Sequence, residues 1–343
     1  MKRNQIIAIG LLVVLILWSF GGTILKSCKG TDTSKTEESE NTVTAPMQKA
    51  PDFSSDSAYK FIEKQVSFGP RVPGTKQHIA CGEWIQNELK KYGATVYTQD
   101  FVGTAYDGVK RNSKNIIGSL NPTAKTRILL AAHWDTRPIA DQDDADKNKP
   151  ILGAIDGGSG VAVALEIARQ LNANPLKNDI GVDIIFFDNE DNGTPDNVTP
   201  TIETKSSTGF WCLGSEYWAA NKHIPNYSAY YGILLDMVGG KNTFFQKEGL
   251  SMQMASSVVE NVWSTAAKLG YSKYFKNENG GSITDDHVAV NMVAKIPMID
   301  IISTDGQNFG SFWHTHDDKL ENVSKEHLKA VGQTVLQVIY NEQ

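Results

Sequence analysis

Four strand-length segments of the chain are apolar at nearly every position. In the first of them, residues 127–133, five apolar residues run from Ile128 to Ala132. The other three cover residues 182–187, 232–238 and 296–302. Strands of this kind are buried on both faces, which is typical of the parallel sheets of α/β proteins. These segments constrain the fold more than any other feature of the sequence.

Helical segments alternate with the strands and supply the layers that cover them. Two more strands are predicted over residues 94–101 and 113–120. The predicted helices cover residues 56–66, 77–91, 159–171 and 324–340, the last of them capped by Ser324. The alternation predicts an α/β fold, a three-layer α/β/α sandwich around a central mixed, mostly parallel sheet.

The composition is ordinary for a globular protein and argues against one class of partner. Hydrophobic residues make up 40% of the 343 residues and charged residues 21%, which suffices for a real core. The net charge is -6, whereas proteins that bind nucleic acid need clustered Lys and Arg to neutralise phosphates. We therefore expect no nucleic-acid partner.

The first 28 residues differ in character from the rest of the chain. Two basic residues precede residues 6–25, which carry no charge. This length lies between that of the apolar region of a signal peptide and that of a membrane-spanning helix. Cys28 ends a segment that resembles a bacterial lipobox, although Lys26 is unusual at its position. The sequence does not decide between lipid attachment at Cys28 and retention of the N-terminal segment as an uncleaved anchor.

We expect three regions along the chain. Residues 1–28 are a signal or membrane anchor, residues 29–52 are a polar, flexible linker, and residues 53–343 are a single folded domain. The domain is expected to be exported and held at the membrane, in the bacterial periplasm or cell envelope. Cys81 and Cys212 lie far apart in the sequence, so whether they pair stays open.

Polar side chains that can bind a ligand follow directly after the buried strands. They are His133 and Asp135, Glu190 and Asp191, Asp236, and the segment of Trp313 and His314. Open α/β sheets place their ligand sites at the carboxyl ends of the strands. The sequence therefore predicts that these side chains converge on one metal or catalytic site.

The acids near these strand ends have more than one explanation. Glu190 and Asp191 would repel each other beside an apolar core unless a cation or proton compensates them, but surface carboxylates are an equal alternative. Asp156 stands among small residues before a helix, where it either interacts with the helix dipole or leaves room for a close approach.

A catalytic zinc has three protein ligands and an open position. Asp156, Asp191 and His314 would supply such a set, and Glu190 would then be free for proton transfer. The neighbouring acids Asp285 and Asp286 are expected to share a proton if they are buried.

In this order, these residues resemble the zinc aminopeptidase family that also contains the animal-type glutaminyl cyclases. The resemblance covers residues 66–338. It implies the fold of the family, which is a mixed sheet sandwiched by helices. Each of the sequence fragments that carry the resemblance is a weak indicator of the family alone, but together the fragments are specific. The fragments are Gly69-Pro70-Arg71-Val72-Pro73-Gly74, His133-Trp134-Asp135, Asp156, Glu190-Asp191, Leu235-Asp236-Met237, Asp285-Asp286-His287 and Trp313-His314-Thr315.

Two classes of enzyme share this scaffold. Aminopeptidases of the family bind two zinc ions, whereas the cyclases use one. The resemblance implies a cyclase, because Trp313 directly precedes His314 and two acids precede His287, where the peptidases usually lack the tryptophan and have one acid. Asp191 departs from the glutamate that many members of both classes carry, so the metal or the loop must shift to meet it.

The resemblance also implies roles for individual residues. One zinc ion per chain is bound by Asp156, Asp191 and His314. The catalytic residues are Glu190, Asp236 and Asp285. The substrate is contacted by Trp313, Phe309, Ile283 and Trp211. The residues that support the zinc ligands or bind a second metal are His133, Asp135, Asp286 and His287.

The implied activity is that of a glutaminyl-peptide cyclotransferase, which converts the N-terminal glutamine of peptides or proteins to pyroglutamate and releases ammonia. The alternatives are a two-zinc aminopeptidase and a non-enzymatic domain on the same fold. Residues 192–210 are rich in Thr, Pro and Asn and are expected to form a long loop or a lid.

Overall fold

The computed structural model describes residues 49–177 and 179–342. The predicted anchor and most of the predicted linker lie outside the described residues. Within those residues, every helix is too short or too polar to cross a membrane.

The chain folds into alternating strands and helices. The strands are β1 (Thr95–Thr104), β2 (Lys110–Leu120), β3 (Thr126–His133), β4 (Ile180–Phe187), β5 (Tyr231–Asp236), β6 (Phe244–Lys247), β7 (Phe275–Asn279) and β8 (Met298–Thr304). The α-helices are α1 (Ser55–Val66), α2 (Lys76–Lys91), α3 (Gly158–Ala173), α4 (Leu213–Ala220), α5 (Gly249–Lys268), α6 (Asp286–Ala289) and α7 (Lys325–Asn341). Two short turns of other helix types cover Val290–Ala294 (π) and Leu320–Asn322 (3-10).

The strands form one mixed sheet in the order β1-β2-β4-β3-β5-β8-β6-β7. The four central strands, β4, β3, β5 and β8, are parallel to one another. Antiparallel pairs join β1 to β2, β2 to β4 and β6 to β8. The predicted α/β class with a mixed sheet is confirmed.

Both faces of the central strands are buried, as the apolar segments predict. Every residue of β4 is buried, and its side chains alternate between two cores because strand side chains point to opposite faces. Ile184 and Phe186 belong to the larger core, which α1, α2, α3, α5 and α7 cover. Ile185 and Phe187 belong to the smaller one, which α4 and the π-turn cover. The three-layer arrangement follows from this burial.

The predicted helices match α1, α2, α3 and α7 within a few residues. Ser324 accepts a hydrogen bond from the backbone N–H of His327 and caps α7, as predicted. The sequence analysis missed α5, because its cap is Glu248 rather than a favoured short polar residue and Ala255 interrupts the helix with non-helical backbone angles.

The last residues assigned to the linker contact the folded domain. Ala50 N donates to Gln337 Oε1 at 3.1 Å, and Lys329 Nζ donates to Asp52 Oδ1 at 2.6 Å. The segment that packs against α7 therefore begins before residue 53.

Candidate active site

The carboxyl ends of the central parallel strands open into one cavity of ≈ 300 Å³. All of the predicted catalytic, zinc-binding and substrate-contacting residues lie in its wall. The lining residues are Asp156, Glu190, Asp191, Trp211, Asp236, Met237, Ser282, Ile283, Thr284, Asp285, Ile302, Phe309, Trp313 and His314. The structure thus brings together side chains from across the sequence, at the place where open α/β sheets bind ligands.

Asp156, Asp191 and His314 form a group whose donor atoms lie within 4.8 Å of one another. His314 Nε2 is 3.2 Å from Asp191 Oδ1 and 4.0 Å from Asp156 Oδ2. All three residues are buried, and Asp191 Oδ2 has no hydrogen-bond partner among residues 49–177 and 179–342. Two buried carboxylates this close repel each other unless a cation or proton compensates them. The nitrogen and oxygen donors suit zinc.

His314 is oriented by two residues that the sequence analysis missed, Arg137 and Asp141. Asp141 Oδ1 lies 3.3 Å from His314 Nδ1, so the other ring nitrogen faces the carboxylates. Arg137 donates to both oxygens of Asp141, at 2.6 and 3.0 Å, and to the backbone oxygen of Asp191 at 3.2 Å. Metal-binding histidines commonly have such a carboxylate on the second nitrogen. The only signal in the sequence is their position just after the His133 motif.

A second donor group shares Asp156 with the first. His133 Nε2 lies 2.8 Å from Asp156 Oδ1 and 3.2 Å from Asp236 Oδ1, and donor atoms of the three residues lie within 4.8 Å of one another. The site therefore offers ligands of the right types for two neighbouring cations.

Asp135 lies behind the cavity wall. Its Oδ1 accepts a hydrogen bond from Glu190 N at 3.1 Å, and its Oδ2 accepts one from Asp191 N at 3.3 Å. The side chain is fully buried. Asp135 therefore fixes the turn that presents both acids to the cavity.

Glu190 is a half-buried acid in the cavity wall, and its pKa departs from the ordinary value. Burial raises its pKa well above the usual range for glutamic acid; His133 lowers it, and Asp285 and Asp191 raise it further. Cys212 Sγ donates a hydrogen bond to Glu190 Oε1 at 3.3 Å.

Cys212 and Cys81 are both free thiols in the described part of the chain, so they do not form a disulfide with each other.

The second acidic pair, Asp285 and Asp286, is buried beside the cavity. Burial and the charge of Asp236 raise the pKa of Asp285 to about 6. Burial and the charge of Asp285 raise the pKa of Asp286 well above its ordinary value. His287 Nε2 lies 3.2 Å from Glu248 Oε2. His287 belongs to none of the three metal-type donor groups of the described residues, the third of which is Glu190, Cys212 and Asp285.

Aromatic side chains form part of the cavity wall. Trp313 stacks on His314 with ring centroids 3.9 Å apart, and Trp211 lies nearly parallel to the same imidazole at 5.8 Å. Phe309 packs against Trp313 at 4.9 Å. Residues 192–210, which precede Trp211, form turns and bends, as the predicted loop requires.

Solved structures similar to this chain include two bacterial proteins whose names differ. The glutaminyl cyclase of Bacteroides thetaiotaomicron bound to N-acetylhistamine is 49% identical, with a TM-score of 0.81 over 86% of this chain and 100% of that chain. A Zn-dependent exopeptidase from Parabacteroides distasonis is 54% identical, with a TM-score of 0.81 over 85% of this chain and 99% of that chain.

The similarity extends to animal proteins and to a family-wide pattern. The glutaminyl-peptide cyclotransferase of Bos taurus is 28% identical over 297 residues, which cover 79% of this chain and 78% of the bovine protein. Residues 115–339 match the pattern of Peptidase family M28 and include every residue of the cavity wall. The chain belongs to Peptidase family M28.

Proposed function

We propose that this protein is a glutaminyl-peptide cyclotransferase, which closes the N-terminal glutamine of peptides or proteins into pyroglutamate. One observation carries the proposal: Glu190, a half-buried acid, lines the same small aromatic cavity as a metal-type donor group. The likeness to bacterial and bovine glutaminyl cyclases over most of the chain supports this choice of reaction.

Zinc is the cofactor that the donor set fits, and one ion per chain would be held by Asp156, Asp191 and His314. The free Oδ2 of Asp191 supports this assignment (it is buried and unbonded among the described residues). A bound zinc would polarise the carbonyl of the substrate's γ-amide. Although Asp191 is shorter than glutamate, its carboxylate reaches within 3.2 Å of His314 Nε2.

Glu190 acts as the proton carrier. It takes a proton from the substrate's α-amine, whose nitrogen bonds to the γ-amide carbon. The bond from that carbon to the amide nitrogen breaks, and Glu190 delivers the proton to the departing ammonia. Because burial raises its pKa, Glu190 is a stronger base than an exposed glutamate.

The other groups of the wall hold the substrate. Asp236 and Asp285 bind the α-amine by hydrogen bonds and orient it toward Glu190. Trp313, Phe309, Ile283 and Trp211 enclose the glutamine side chain. The amine and the amide belong to one residue. The cavity therefore needs only to hold that residue folded back on itself, because the two reacting groups are then close together and the reaction is faster.

The second candidate is a two-zinc aminopeptidase, and the donor group of His133, Asp156 and Asp236 is the observation that favours it. A peptidase releases the first residue of Leu-initiated peptides, whereas a cyclase releases ammonia from Gln-initiated peptides. The metal content also differs, with two tightly bound zinc ions per chain for the peptidase.

We also propose that residues 1–28 export the protein and hold it at the membrane, either as an uncleaved anchor or through a lipid on Cys28. Support comes from the uncharged segment of residues 6–25 and from the lipobox-like residues that follow. The region 53–343 would then be the zinc-dependent catalytic domain outside the cytoplasm.

The proposed reaction is tested with the purified full-length chain and the dipeptide Gln-Gly. We expect stoichiometric ammonia and pyroglutamyl-glycine, and no free leucine from Leu-Gly. Glu190→Gln, which keeps the size of the side chain, should lower kcat by about 10²–10⁴-fold with its zinc retained. Full activity of this variant contradicts the role of Glu190, and hydrolysis of Leu-Gly without ammonia from Gln-Gly rejects the cyclase.

A further inference from the structure

Asp156 belongs to two of the donor groups, that of His133 and that of His314. It lies in a loop, residues 151–157, which is neither strand nor helix. Other residues must hold such a loop, because a metal ligand needs a fixed geometry. We propose that Arg71 and Asp318 are positioning residues that hold the backbone of this loop and thereby set the zinc affinity of the site. This role rests on the zinc site of the proposed function and applies to either candidate reaction.

Arg71 joins the loop of Asp156 to the turn that follows β3. Its side chain is fully buried, and each of its three nitrogens donates to a backbone oxygen. Nε donates to Trp134 O at 3.0 Å, Nη1 to Leu152 O at 2.7 Å and Nη2 to Gly153 O at 2.7 Å. Because the guanidinium is planar and its donors form a rigid fork, these bonds fix the two segments relative to each other. One segment carries His133 and the other carries Asp156.

Gly153 makes room for this guanidinium. A Cβ added at Gly153 would lie 2.8 Å from Arg71 Nη2 and 2.3 Å from Thr136 Cγ2. Its φ of +60° also lies in the left-handed region that favours glycine. Two fragments of the sequence, residues 69–74 and the small residues before Asp156, therefore meet in one contact.

Asp318 holds the same loop from the side of His314, which it follows by four residues. Its Oδ1 accepts a hydrogen bond from Ile155 N at 2.6 Å, and its Oδ2 accepts one from Asp156 N at 3.2 Å. The side chain is fully buried. Since one donor is the backbone N–H of Asp156 itself, Asp318 fixes the point from which that ligand's side chain extends.

Together, Arg71 and Asp318 connect the segments that carry three candidate ligands: His133, Asp156 and His314. Neither positioning residue lines the catalytic cavity, so we expect neither to touch the substrate. Their loss would instead displace Asp156 and weaken zinc binding. Residues that orient metal ligands without binding the metal typically change its affinity by about 10–100-fold.

Asp318→Asn is the deciding variant, because it keeps the size of the side chain. One of the two acceptor oxygens becomes an NH₂ donor, which repels the backbone N–H that it faces. Asp317→Asn is the matched control. Asp317 is the neighbouring acid, but it is exposed, and its Oδ1 pairs with Lys319 Nζ at 2.7 Å.

Arg71→Lys is a second variant that keeps the charge but loses the planar fork. Its control is Arg127→Lys. Arg127 is also buried, lies at the other end of β3 from His133, and donates to Asp183 Oδ1 at 2.7 Å. Both variants lose a buried guanidinium, so their comparison separates a general loss of stability from an effect on zinc. Should Arg71→Lys fail to fold, the comparison of Asp318→Asn with Asp317→Asn decides alone.

Zinc affinity is measured by competition with a chelator in the full-length protein and in the four variants. We expect Asp318→Asn and Arg71→Lys to lose about 10–100-fold in zinc affinity, and both controls to stay within about twofold of the unchanged protein. The denaturant midpoint of each zinc-loaded protein is measured as well, and Arg127→Lys should lower it. Co²⁺ in place of zinc gives a further readout, because its visible absorption depends on the geometry of its ligands. This absorption should change in Asp318→Asn and not in Asp317→Asn.

The results separate two kinds of failure. Unchanged zinc affinity in Asp318→Asn or in a folded Arg71→Lys overturns the positioning role and leaves the proposed function intact. An equal loss of zinc affinity in a variant and its control also overturns this role, because the effect would then follow charge or stability rather than the loop of Asp156. Absence of bound zinc from the unchanged protein overturns the proposed function and the positioning role together.

Discussion

Cys212 donates a hydrogen bond from its thiol to Oε1 of Glu190, across a sulfur–oxygen distance of 3.3 Å. The backbone N–H of Cys212 also donates to the backbone oxygen of Glu190 at 3.0 Å. Cys212 adopts a left-handed backbone conformation (φ 59°) directly before α4. One residue therefore holds both the backbone and the carboxylate of the proposed proton carrier.

We predict that Cys212→Ala lowers kcat for Gln-Gly by about 3–10-fold. Alanine cannot donate, and unlike a β-branched residue it adds little strain to the left-handed backbone at this position. One lost hydrogen bond of this kind is worth about 1 kcal/mol. Cys212→Ser retains a donor and should keep kcat within about threefold of the original value. Cys81 is an equally buried thiol in the core, so Cys81→Ala is the control. A Cys212→Ala variant with undiminished kcat would show that the thiol does not position Glu190.

The contact between Asp141 and His314 predicts an effect on metal affinity. Asp141→Asn keeps the shape of the side chain but removes the charge that faces Nδ1 of His314. We expect zinc affinity to fall by about 10–100-fold, as for other carboxylates that orient metal-binding histidines. The measurement is competition with a chelator, followed by zinc analysis of the protein.

A second His–Asp pair in the same region provides the control. Asp143 Oδ2 lies 2.8 Å from His316 Nδ1, and neither residue lines the catalytic cavity. Asp143→Asn should leave zinc affinity unchanged. Equal losses in the two variants would mean that Asp141 acts through the stability of the loop rather than through His314.

The hydrogen bonds of His133 predict the zinc count. Its Nε2 lies 2.8 Å from Asp156 Oδ1 and 3.2 Å from Asp236 Oδ1, so the imidazole can hydrogen-bond to one of these carboxylates without a second ion. In the first donor group, by contrast, Asp191 Oδ2 is buried and has no hydrogen-bond partner among the described residues. We expect one zinc ion per chain by elemental analysis, and the same count in His133→Asn. Two ions in the unchanged protein and one in the variant would favour the aminopeptidase.

Much of the site was predictable because strand ends leave a direct trace in the sequence. An apolar strand followed by an acid or a histidine identifies both the element and the edge where the side chain emerges, as at His133 and Asp236. Arg137 and Asp141 were not predictable, since two opposite charges on a loop resemble any solvated pair. Only the fold shows that one contacts Asp191 and the other His314.

The small residues around Asp156 show what sequence patterns leave open. They predict that something approaches the backbone closely, and the structure identifies two neighbours from the protein itself. A Cβ at Gly157 would lie 2.8 Å from the ring of His133, and one at Gly160 would lie 2.0 Å from the backbone oxygen of Leu235. The glycines therefore let α3 pack against β5 and the second donor group.

This packing predicts that Gly160→Ala destabilises the protein. The new methyl group would overlap Leu235 O, a backbone atom that cannot rotate away, and would also crowd Ala132 Cβ at 2.9 Å. Overpacking of this kind typically costs about 1–3 kcal/mol, so we expect a clear drop in the denaturant midpoint. Because α3 begins just after Asp156, zinc affinity should fall as well. Gly281→Ala, which meets open space, is the control. An unchanged midpoint in Gly160→Ala would mean that α3 can move away from β5 without cost.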